Sequence, residues 1–284
     1  MIASLYGAYE ALAHQRAKRG TLELEIPERR IELADDGTVT GISERERLVS
    51  HKLIEEFMIT ANVAAAETLE KHHAPCMYRI HNQPGPKKFD ALVQVLRSIN
   101  LPFARGQVVK PSQFNQILSK AANTPHAHMV NLIVLRSQAQ AEYGPDNIGH
   151  FGLGLRRYCH FTSPIRRYPD LIVHRALIDA LKLGADGSGV PPPDLAEAGE
   201  HLSTTERRAV AAERDAIDRF SAQYLADRVG AVFAGRINGV TRFGLFVTLD
   251  ETGADVLVPL RSLSDDYYDH DEGLHLLTGR RTGR

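Results

Sequence analysis

The segment 149–175 concentrates side chains that can bind a phosphate group. It contains five arginines, three histidines and four aromatic residues. Ser163 and Pro164 are typical of an N-cap and a first helical position, and a second proline five residues later would interrupt a helix already begun, so a short turn is predicted before the main helix. The N–H groups and positive dipole of a helix start favour anions, and Arg166 and Arg167 can add planar, bidentate donors.

This arrangement could hold a phosphodiester in a defined position. A charge-assisted hydrogen bond is worth roughly 1.5–3 kcal/mol, enough to orient a scissile bond or to stabilise charge in its transition state. A structural alternative stays open, because Arg166 could pair with Asp170 four residues later and the histidines could be structural residues.

The elements that must position these residues follow from the hydrophobic pattern. Helical spacing of apolar residues predicts helices over 2–19, 44–71, 89–99, 111–122, 126–143, 169–183 and 194–228. Glycines, prolines and unusual residues predict a loop over 144–162 and a linker over 184–193.

The stretch 21–42 has a different period. Leu22, Leu24 and Ile26 alternate with polar neighbours, which predicts a strand. The Asp35-Asp36-Gly37 turn, followed by three β-favouring residues, predicts a hairpin with the two aspartates at its tip.

From Val229 onward the sequence changes to short strands broken by glycines, which predicts a small β-barrel. About 55 residues remain before Arg284, fewer than a five-stranded barrel usually needs. We therefore expect the chain to be truncated at its C-terminus.

Aromatic residues in this barrel could bind nucleobases. Phe243 and Phe246 flank Gly244-Leu245 and lie near Arg236 and Arg242. Exposed aromatic rings beside arginines offer stacking worth about 1–3 kcal/mol per base. The alternative is that one of the two phenylalanines belongs to the barrel core.

Composition bounds the class of protein. The 284 residues have 43% hydrophobic and 24% charged residues and a formal net charge of −1, so any polyanion site must come from local clusters of arginine and lysine. Cys76 and Cys159 lie far apart and form neither a disulfide framework nor a zinc-ligand spacing. The N-terminus shows no signal-peptide pattern and no window is long enough for a membrane span, so a soluble cytoplasmic protein is predicted.

Two motifs resemble those of a known family, the RNB-domain exoribonucleases of the ribonuclease II type. His160-Phe-Thr-Ser-Pro-Ile-Arg-Arg-Tyr-Pro-Asp-Leu, preceded by Gly-His-Phe-Gly-Leu, is similar to the signature near the end of the RNB domain. Leu53-Ile-Glu-Glu-Phe-Met-Ile-Thr-Ala-Asn-Val-Ala is similar to another block of the family. The resemblance extends over nearly the whole chain.

The resemblance implies an α+β fold, with helices packed on a mixed sheet, and an enzymatic activity. Residues 1–228 would be the C-terminal part of an RNB catalytic domain, and residues 229–284 a truncated S1 domain, an OB-type RNA-binding barrel. The family threads single-stranded RNA into a narrow channel and hydrolyses it from the 3′ end, with a divalent metal that is normally magnesium, to nucleoside 5′-monophosphates. The full-length enzyme would act as a monomer.

The resemblance also assigns roles to residues. Arg166 would contact the scissile phosphate and stabilise the transition state, and Glu55 or Glu56 would contact the ribose, whose 2′-hydroxyl distinguishes RNA from DNA. Without the family context, a solvated helix face is the simpler interpretation of the two glutamates. The other residues implied to bind RNA are His160, Phe161, Arg167, Tyr168, Arg242, Phe243 and Phe246.

The chain departs from the family pattern in two places. The family holds its metal with aspartates spaced as Asp, five residues, Asp, one residue, Asp-Asp, and no such string is present here, so we expect this chain to lack magnesium ligands. The acidic run 265–271 is interpreted as a solvated loop. Leu24 stands where relatives often have a phenylalanine that stacks terminal bases. A non-catalytic RNA-binding fragment is therefore the alternative function.

Overall fold

A computed structural model describes residues 2–24, 28–103, 108–184, 193–263, 266–271 and 276–283. Within these ranges the helices are α1 (Ile2–Arg19), α2 (Val49–Lys71), α3 (Pro86–Ser98), α4 (Pro111–Ala121), α5 (Ala127–Ser137), α6 (Tyr168–Leu181) and α7 (Leu195–Leu225). The strands are β1 (Arg29–Leu33), β2 (Val39–Glu44), β3 (Tyr78–His81), β4 (Ala141–Gly144), β5 (Gly235–Thr241), β6 (Gly244–Leu249), β7 (Asp255–Pro259), β8 (Tyr268–Asp271) and β9 (Leu276–Gly279).

The fold is α+β, as predicted. The helices pack around small sheets whose strand pairings are all antiparallel among the described residues, so the expected mixed sheet is not found there. β1 pairs with β2, β3 pairs with β4, β5, β6 and β7 form a three-stranded sheet, and β8 pairs with β9. The predicted hairpin is confirmed: β1 and β2 pair from Arg29↔Glu44 inward, around a turn in which Gly37 has a φ of +82°. This pairing also explains why α2 begins at Val49 and not at Glu44, which belongs to the hairpin.

Two predicted elements are wrong in part. The helix predicted over 126–143 ends at Ser137, and Ala141–Gly144 instead pairs with β3, which lies sixty residues earlier in the chain. Residues 21–24 form no strand among the described residues: the Leu22 N–H donates to the carbonyl of Gly152 at 2.8 Å, and Leu24 packs on a helical core. Ile26, and most of the linker predicted over 184–193, lie outside the described residues.

The helical part has two hydrophobic cores. The first lies where α2, β3, β4 and α6 meet, and its fully buried members include Leu69, Met77 and Val173. The second is formed by α3, α4 and α5 around the buried ring of Phe114, which packs edge-to-face with Phe103 at 5.2 Å. Burial of one such side chain stabilises the fold by about 1.5–3 kcal/mol. In the loop before α6, Cys159 and Phe161 contact the first core and Phe151 contacts the second.

The described residues of the C-terminal segment form five strands between Gly235 and Gly279, in two separate sheets. The expected truncation of the barrel stays a prediction. A bulge between Ile237 and Gly239 shifts the register of β5 against β6. No helix in the described part of the chain is both long and apolar enough to cross a membrane.

Candidate functional site

The predicted turn before α6 is present and is fastened by a buried carboxylate. The Ser163 carbonyl accepts from the N–H groups of Arg166 and Arg167 at 3.3 and 3.1 Å. Asp170, which is fully buried, accepts from the Ser163 N–H at 2.7 Å and from Nη2 of Arg167 at 2.8 Å. α6 itself begins at Tyr168 with Arg167 as its N-cap, so Ser163 caps the turn and not the helix.

The two adjacent arginines therefore have different environments. Arg167 is half-buried and paired with Asp170, so the pairing that the sequence suggested for Arg166 belongs to its neighbour. Arg166 is exposed, and in the described part of the chain its side chain makes one weak contact, Nη2 to the Ser163 hydroxyl at 3.5 Å. The guanidinium group of Arg166 is thus available to an anion, whereas that of Arg167 stabilises the turn.

His160 and Phe161 point inward. Nδ1 of His160 lies 2.8 Å from the Tyr143 hydroxyl. Burial, and then the positive charges of Arg167 and Arg79, lower the pKa of His160 to about 2, so the ring is neutral and supplies no charge to a phosphate. The Phe161 ring stacks on His174 with centroids 4.2 Å apart. Tyr168 is 47% exposed at the start of α6 and can reach a ligand.

Asn62 joins this loop to α2. Its side-chain oxygen accepts from the Phe161 N–H at 2.9 Å, its Nδ2 donates to the Tyr158 hydroxyl at 3.0 Å, and its carbonyl accepts from the Cys159 thiol at 3.3 Å. Asn62 is 2% exposed, so these hydrogen bonds are shielded from water. The loop that carries Arg166 is therefore tied to the helix that carries Glu55 and Glu56, six or seven residues earlier.

Glu55 and Glu56 line a cavity of about 480 Å³ between α1, α2 and the segment 21–24. Glu56 is 4% exposed, which rules out the solvated helix face considered for it. Nη1 of Arg16 donates to both carboxylates, at 2.7 Å to Glu56 and 3.1 Å to Glu55. Arg47 forms a second ion pair with Glu55. The adjacent glutamates therefore share one cation, Arg16, and line the same cavity.

Leu24 also lines this cavity, as expected if it replaces a base-stacking residue. The segment that carries it is held by Asn115 of α4, whose Oδ1 accepts from the Glu23 N–H at 2.9 Å and whose Nδ2 donates to the Thr21 carbonyl at 2.7 Å. An aliphatic side chain covers the cavity wall but offers a nucleobase no ring to stack on.

The sequence analysis assigned no role to Arg16 or Asn62, and it considered Asp170 only as a partner of Arg166. A sequence signal existed for Asn62, which is a polar residue on the apolar face of α2, three residues after buried Ile59 and three before Ala65. Arg16 gave no signal, because its partners lie in a different helix about forty residues away.

The predicted base-stacking residues of the barrel are exposed. Phe243 lies in the turn between β5 and β6 and is 64% exposed, with the Arg242 guanidinium 4.6 Å from its ring centroid. Phe246 is 39% exposed. Neither ring is in the barrel core, so the alternative that placed one of them there is wrong. Arg236 is paired with Asp250 at 2.8 Å.

The described residues do not fit a magnesium site of the kind that the family resemblance implies. No group of three or more histidine, cysteine, aspartate or glutamate side chains lies together in them as metal ligands would. Of the acidic run 265–271, Asp265 lies outside the described residues. Asp266 accepts from the N–H groups of Arg281 and Thr282, and Asp269 pairs with Arg280.

Comparison with known proteins places this geometry in context. The RNB domain family matches residues 1–183 and the S1 RNA binding domain family matches residues 226–280. Ribonuclease R of Aquifex aeolicus is 41% identical over 276 residues, which is 97% of this chain and 39% of that protein. The chain thus spans well under half the length of this curated relative.

Solved structures show the same fold. The apo form of Mycoplasma genitalium RNase R is 28% identical and superposes with a TM-score of 0.93, covering 100% of this chain and 45% of that one. The same enzyme in complex with ribose methylated single-stranded RNA gives a TM-score of 0.91 at 27% identity, with the same coverage of both chains.

Proposed function

This chain belongs to the RNB-domain family, and we propose that its protein is a 3′-to-5′ exoribonuclease that hydrolyses single-stranded RNA to nucleoside 5′-monophosphates. Ribonuclease R relatives and the RNB and S1 families support the exoribonuclease class. The finer assignment of substrate direction, product and residue roles is the proposal. We also propose that the full-length enzyme is a monomer and acts in the cytoplasm.

The observation that supports the proposal most strongly is that Arg166 is exposed whereas Arg167 is paired with a buried carboxylate. Because Arg167 takes the buried Asp170, the guanidinium of Arg166 stays exposed at the start of α6, where the helix dipole also favours an anion. The turn is held by hydrogen bonds to Ser163, so the group is presented by a rigid backbone.

Hydrolysis at this position follows ordinary phosphoryl chemistry. Water attacks the phosphorus, the 3′-oxygen of the preceding nucleotide leaves, and the terminal nucleotide departs with a 5′-phosphate. Negative charge develops on the non-bridging oxygens, and donors fixed in advance stabilise it more than they stabilise the ground state. Arg166 would supply such a donor, while Tyr168 beside it would line the channel.

Recognition of the sugar would take place at the cavity lined by Glu55 and Glu56. A carboxylate accepts a hydrogen bond from the 2′-hydroxyl that RNA has and DNA lacks. Asn62 would keep this cavity and the Arg166 turn in a fixed relation, because it is hydrogen-bonded to the loop through both side-chain and backbone groups.

The steps described above include no metal ion. Family members work with a divalent ion, normally magnesium, but the described residues hold no ligand group for it. The same observation favours a second candidate function for the 284-residue chain, a non-catalytic RNA-binding module that uses the Arg166 turn and the exposed rings of the barrel.

One experiment separates the two candidates. Short 5′-labelled single-stranded RNA is incubated with magnesium and either the purified 284-residue chain or the product of the longest reading frame that contains it. We expect both proteins to bind RNA and the longer one to release nucleoside 5′-monophosphates. If both proteins bind RNA and neither hydrolyses it, the RNA-binding module is the correct candidate. If neither protein binds RNA, both candidates are refuted.

The role of Arg166 is tested in the active protein by Arg166→Ala. We expect kcat to fall about 100-fold, with a much smaller change in RNA affinity. The matched control is Arg219→Ala, which removes an exposed arginine whose partner is Asp215 on the same helix, and it should leave kcat unchanged. Loss of affinity with unchanged kcat would contradict a transition-state role.

A further inference from the structure

The cavity lined by Glu55 and Glu56 is organised around one cation, Arg16. Its guanidinium group donates to three carboxylates: Nε to Glu23 at 2.6 Å, and Nη1 to Glu56 at 2.7 Å and Glu55 at 3.1 Å. The Arg16 side chain is 16% exposed. Arg16 belongs to the last turn of α1, whereas Glu55 and Glu56 belong to α2, so the contact forms only when the two helices pack.

Arg16 carries its positive charge under all ordinary conditions. Burial alone would lower the pKa of its guanidinium, but hydrogen bonds to Glu23 and Glu56 outweigh that effect and hold the pKa above its usual value. The almost fully buried Glu56 therefore has a permanent counter-ion. Removal of that ion would leave a buried carboxylate charge uncompensated, which is unfavourable.

The contacts divide the carboxylate oxygens unequally. Both oxygens of Glu55 are engaged, Oε1 with Arg16 and Oε2 with Arg47. Glu56 gives Oε1 to Arg16, and the hydrogen bonds and ion pairs found among the described residues leave its Oε2 to the cavity. Among the described residues, Glu56 therefore has one carboxylate oxygen without a donor, whereas each oxygen of Glu55 already accepts from an arginine.

We propose that Arg16 is a positioning residue for ribose recognition. It holds Glu56 so that Oε2 can accept from the 2′-hydroxyl of a bound nucleotide, whereas Glu55 only helps to hold Arg16 in place. This proposal rests on the proposed function and deepens it. The cavity, at about 480 Å³, is within the roughly 300–1,000 Å³ of small-molecule sites, so it can admit a single nucleoside.

A carboxylate oxygen without a donor can distinguish RNA from DNA. A ribose 2′-hydroxyl donates to Oε2 of Glu56 and restores the hydrogen bond that the carboxylate had with water. A deoxyribose fills the same space, excludes the water and leaves the buried oxygen without a donor, which is the costly case. The fork geometry of arginine matters here, since a lysine ammonium is a point charge and cannot bridge three carboxylates in one plane.

The test measures affinity of the 284-residue chain for two fluorescent oligonucleotides in the presence of EDTA, which prevents cleavage. One probe is single-stranded RNA, and the other has the same sequence with deoxyribose throughout. The readout is the ratio of the two dissociation constants, because damage to the fold weakens both probes alike and leaves the ratio unchanged. Arg16→Lys, Arg16→Ala, Glu56→Gln and Glu55→Gln are compared, with the exposed Arg219→Lys as the control.

We expect the wild-type chain to bind the RNA probe more tightly than the DNA probe. In the Arg16 and Glu56 variants this preference for RNA should fall about tenfold. Glu55→Gln and Arg219→Lys should stay within about twofold of the wild type. The proposal is overturned if both Arg16 variants keep the wild-type ratio, or if Glu55→Gln loses it and Glu56→Gln does not. A wild-type chain that binds neither probe would instead refute the proposed function.

Discussion

At the scale of single residues, the structure separates groups that look equivalent in sequence. Arg166 and Arg167 are adjacent and chemically identical, yet one is exposed and the other is bound to a buried aspartate. Glu55 and Glu56 differ in the same way, through the number of cations that reach them. In both pairs the environment, and not the residue type, decides which member can meet a substrate.

The buried histidines are the residue-scale feature with the clearest consequence for stability. Burial is the largest cause of the low pKa values of His160, about 2, and His150, about 3. An unfolded histidine titrates near 6.5. Below that pH the unfolded state binds a proton that the folded state refuses, so the free energy of unfolding decreases as the pH falls.

We predict that His160→Asn reduces this acid sensitivity. Each neutral buried histidine changes the free energy of unfolding by about 1.4 kcal/mol per pH unit, so between pH 6 and pH 4 the variant should lose about 2–3 kcal/mol less than the wild type. Urea unfolding at the two pH values measures the difference. The exposed His201→Asn is the control and should match the wild type; equal slopes for His160→Asn and the wild type would contradict the prediction.

At the scale of elements, α2 is the scaffold of the site. Its N-terminal half carries the glutamates, and one face farther along carries Asn62, which is bonded to the loop before α6. About six residues of helix separate them, roughly 9 Å of rise. The distance between the cavity at Glu55 and Glu56 and the Arg166 turn is thus set by a rigid element and not by a flexible loop.

A second element-scale constraint is the approach of α7 to β4. At Gly199 a Cβ atom would lie 2.5 Å from the carbonyl oxygen of Tyr143, which is backbone and cannot rotate away. The Ser203 hydroxyl one turn later accepts from the Tyr143 N–H at 2.9 Å. Glycine near the start of this long helix is therefore required by packing, although it costs helix propensity.

We predict that Gly199→Ala destabilises the protein by about 1–3 kcal/mol in spite of the better helix propensity of alanine. Gly7→Ala in α1 is the matched control, since nothing lies within 4 Å of its added Cβ, and it should raise stability by up to about 1 kcal/mol. Urea denaturation of both variants measures the effect. Stabilisation by Gly199→Ala would show that α7 does not press on β4.

At the scale of the whole molecule, the helical part and the barrel expose different kinds of side chain. The helical part presents the exposed Arg166 and a charged cavity, whereas the barrel presents the exposed rings of Phe243 and Phe246. Since the net charge is −1, attraction to a polyanion depends on these local groups. We infer that the barrel contributes affinity and the helical part contributes chemistry.

Phe243→Ala tests this division. Loss of one stacking ring should weaken binding of single-stranded RNA roughly tenfold, within the range of about 1–3 kcal/mol per base, and should leave kcat unchanged in the active protein. Val232→Ala is the control, because that side chain is 98% exposed and aliphatic. Fluorescence anisotropy gives the affinity, and a fall in kcat at saturating RNA would contradict the assigned role.

Local patterns in the sequence determined much of this protein. Helical periodicity predicts α1 with its observed ends and the other helices within a few residues at most ends, and the hairpin turn is recognisable from Asp35-Asp36-Gly37 alone. The motifs around Glu55 and Arg166 indicate the family. Each of these signals is carried by residues that are neighbours along the chain, so no knowledge of distant contacts is needed.

Only the tertiary structure decided the rest. The pairing of β4 with β3, the irregular course of residues 21–24 and the contacts of Arg16 with Glu55 and Glu56 all depend on partners that lie 39 or more residues away. Whether Arg166 or Arg167 pairs with Asp170 depends on how the turn before α6 is buried. Packing selects these partners because a buried charge or N–H group must be satisfied where it lies, and periodicity along the chain does not record that place.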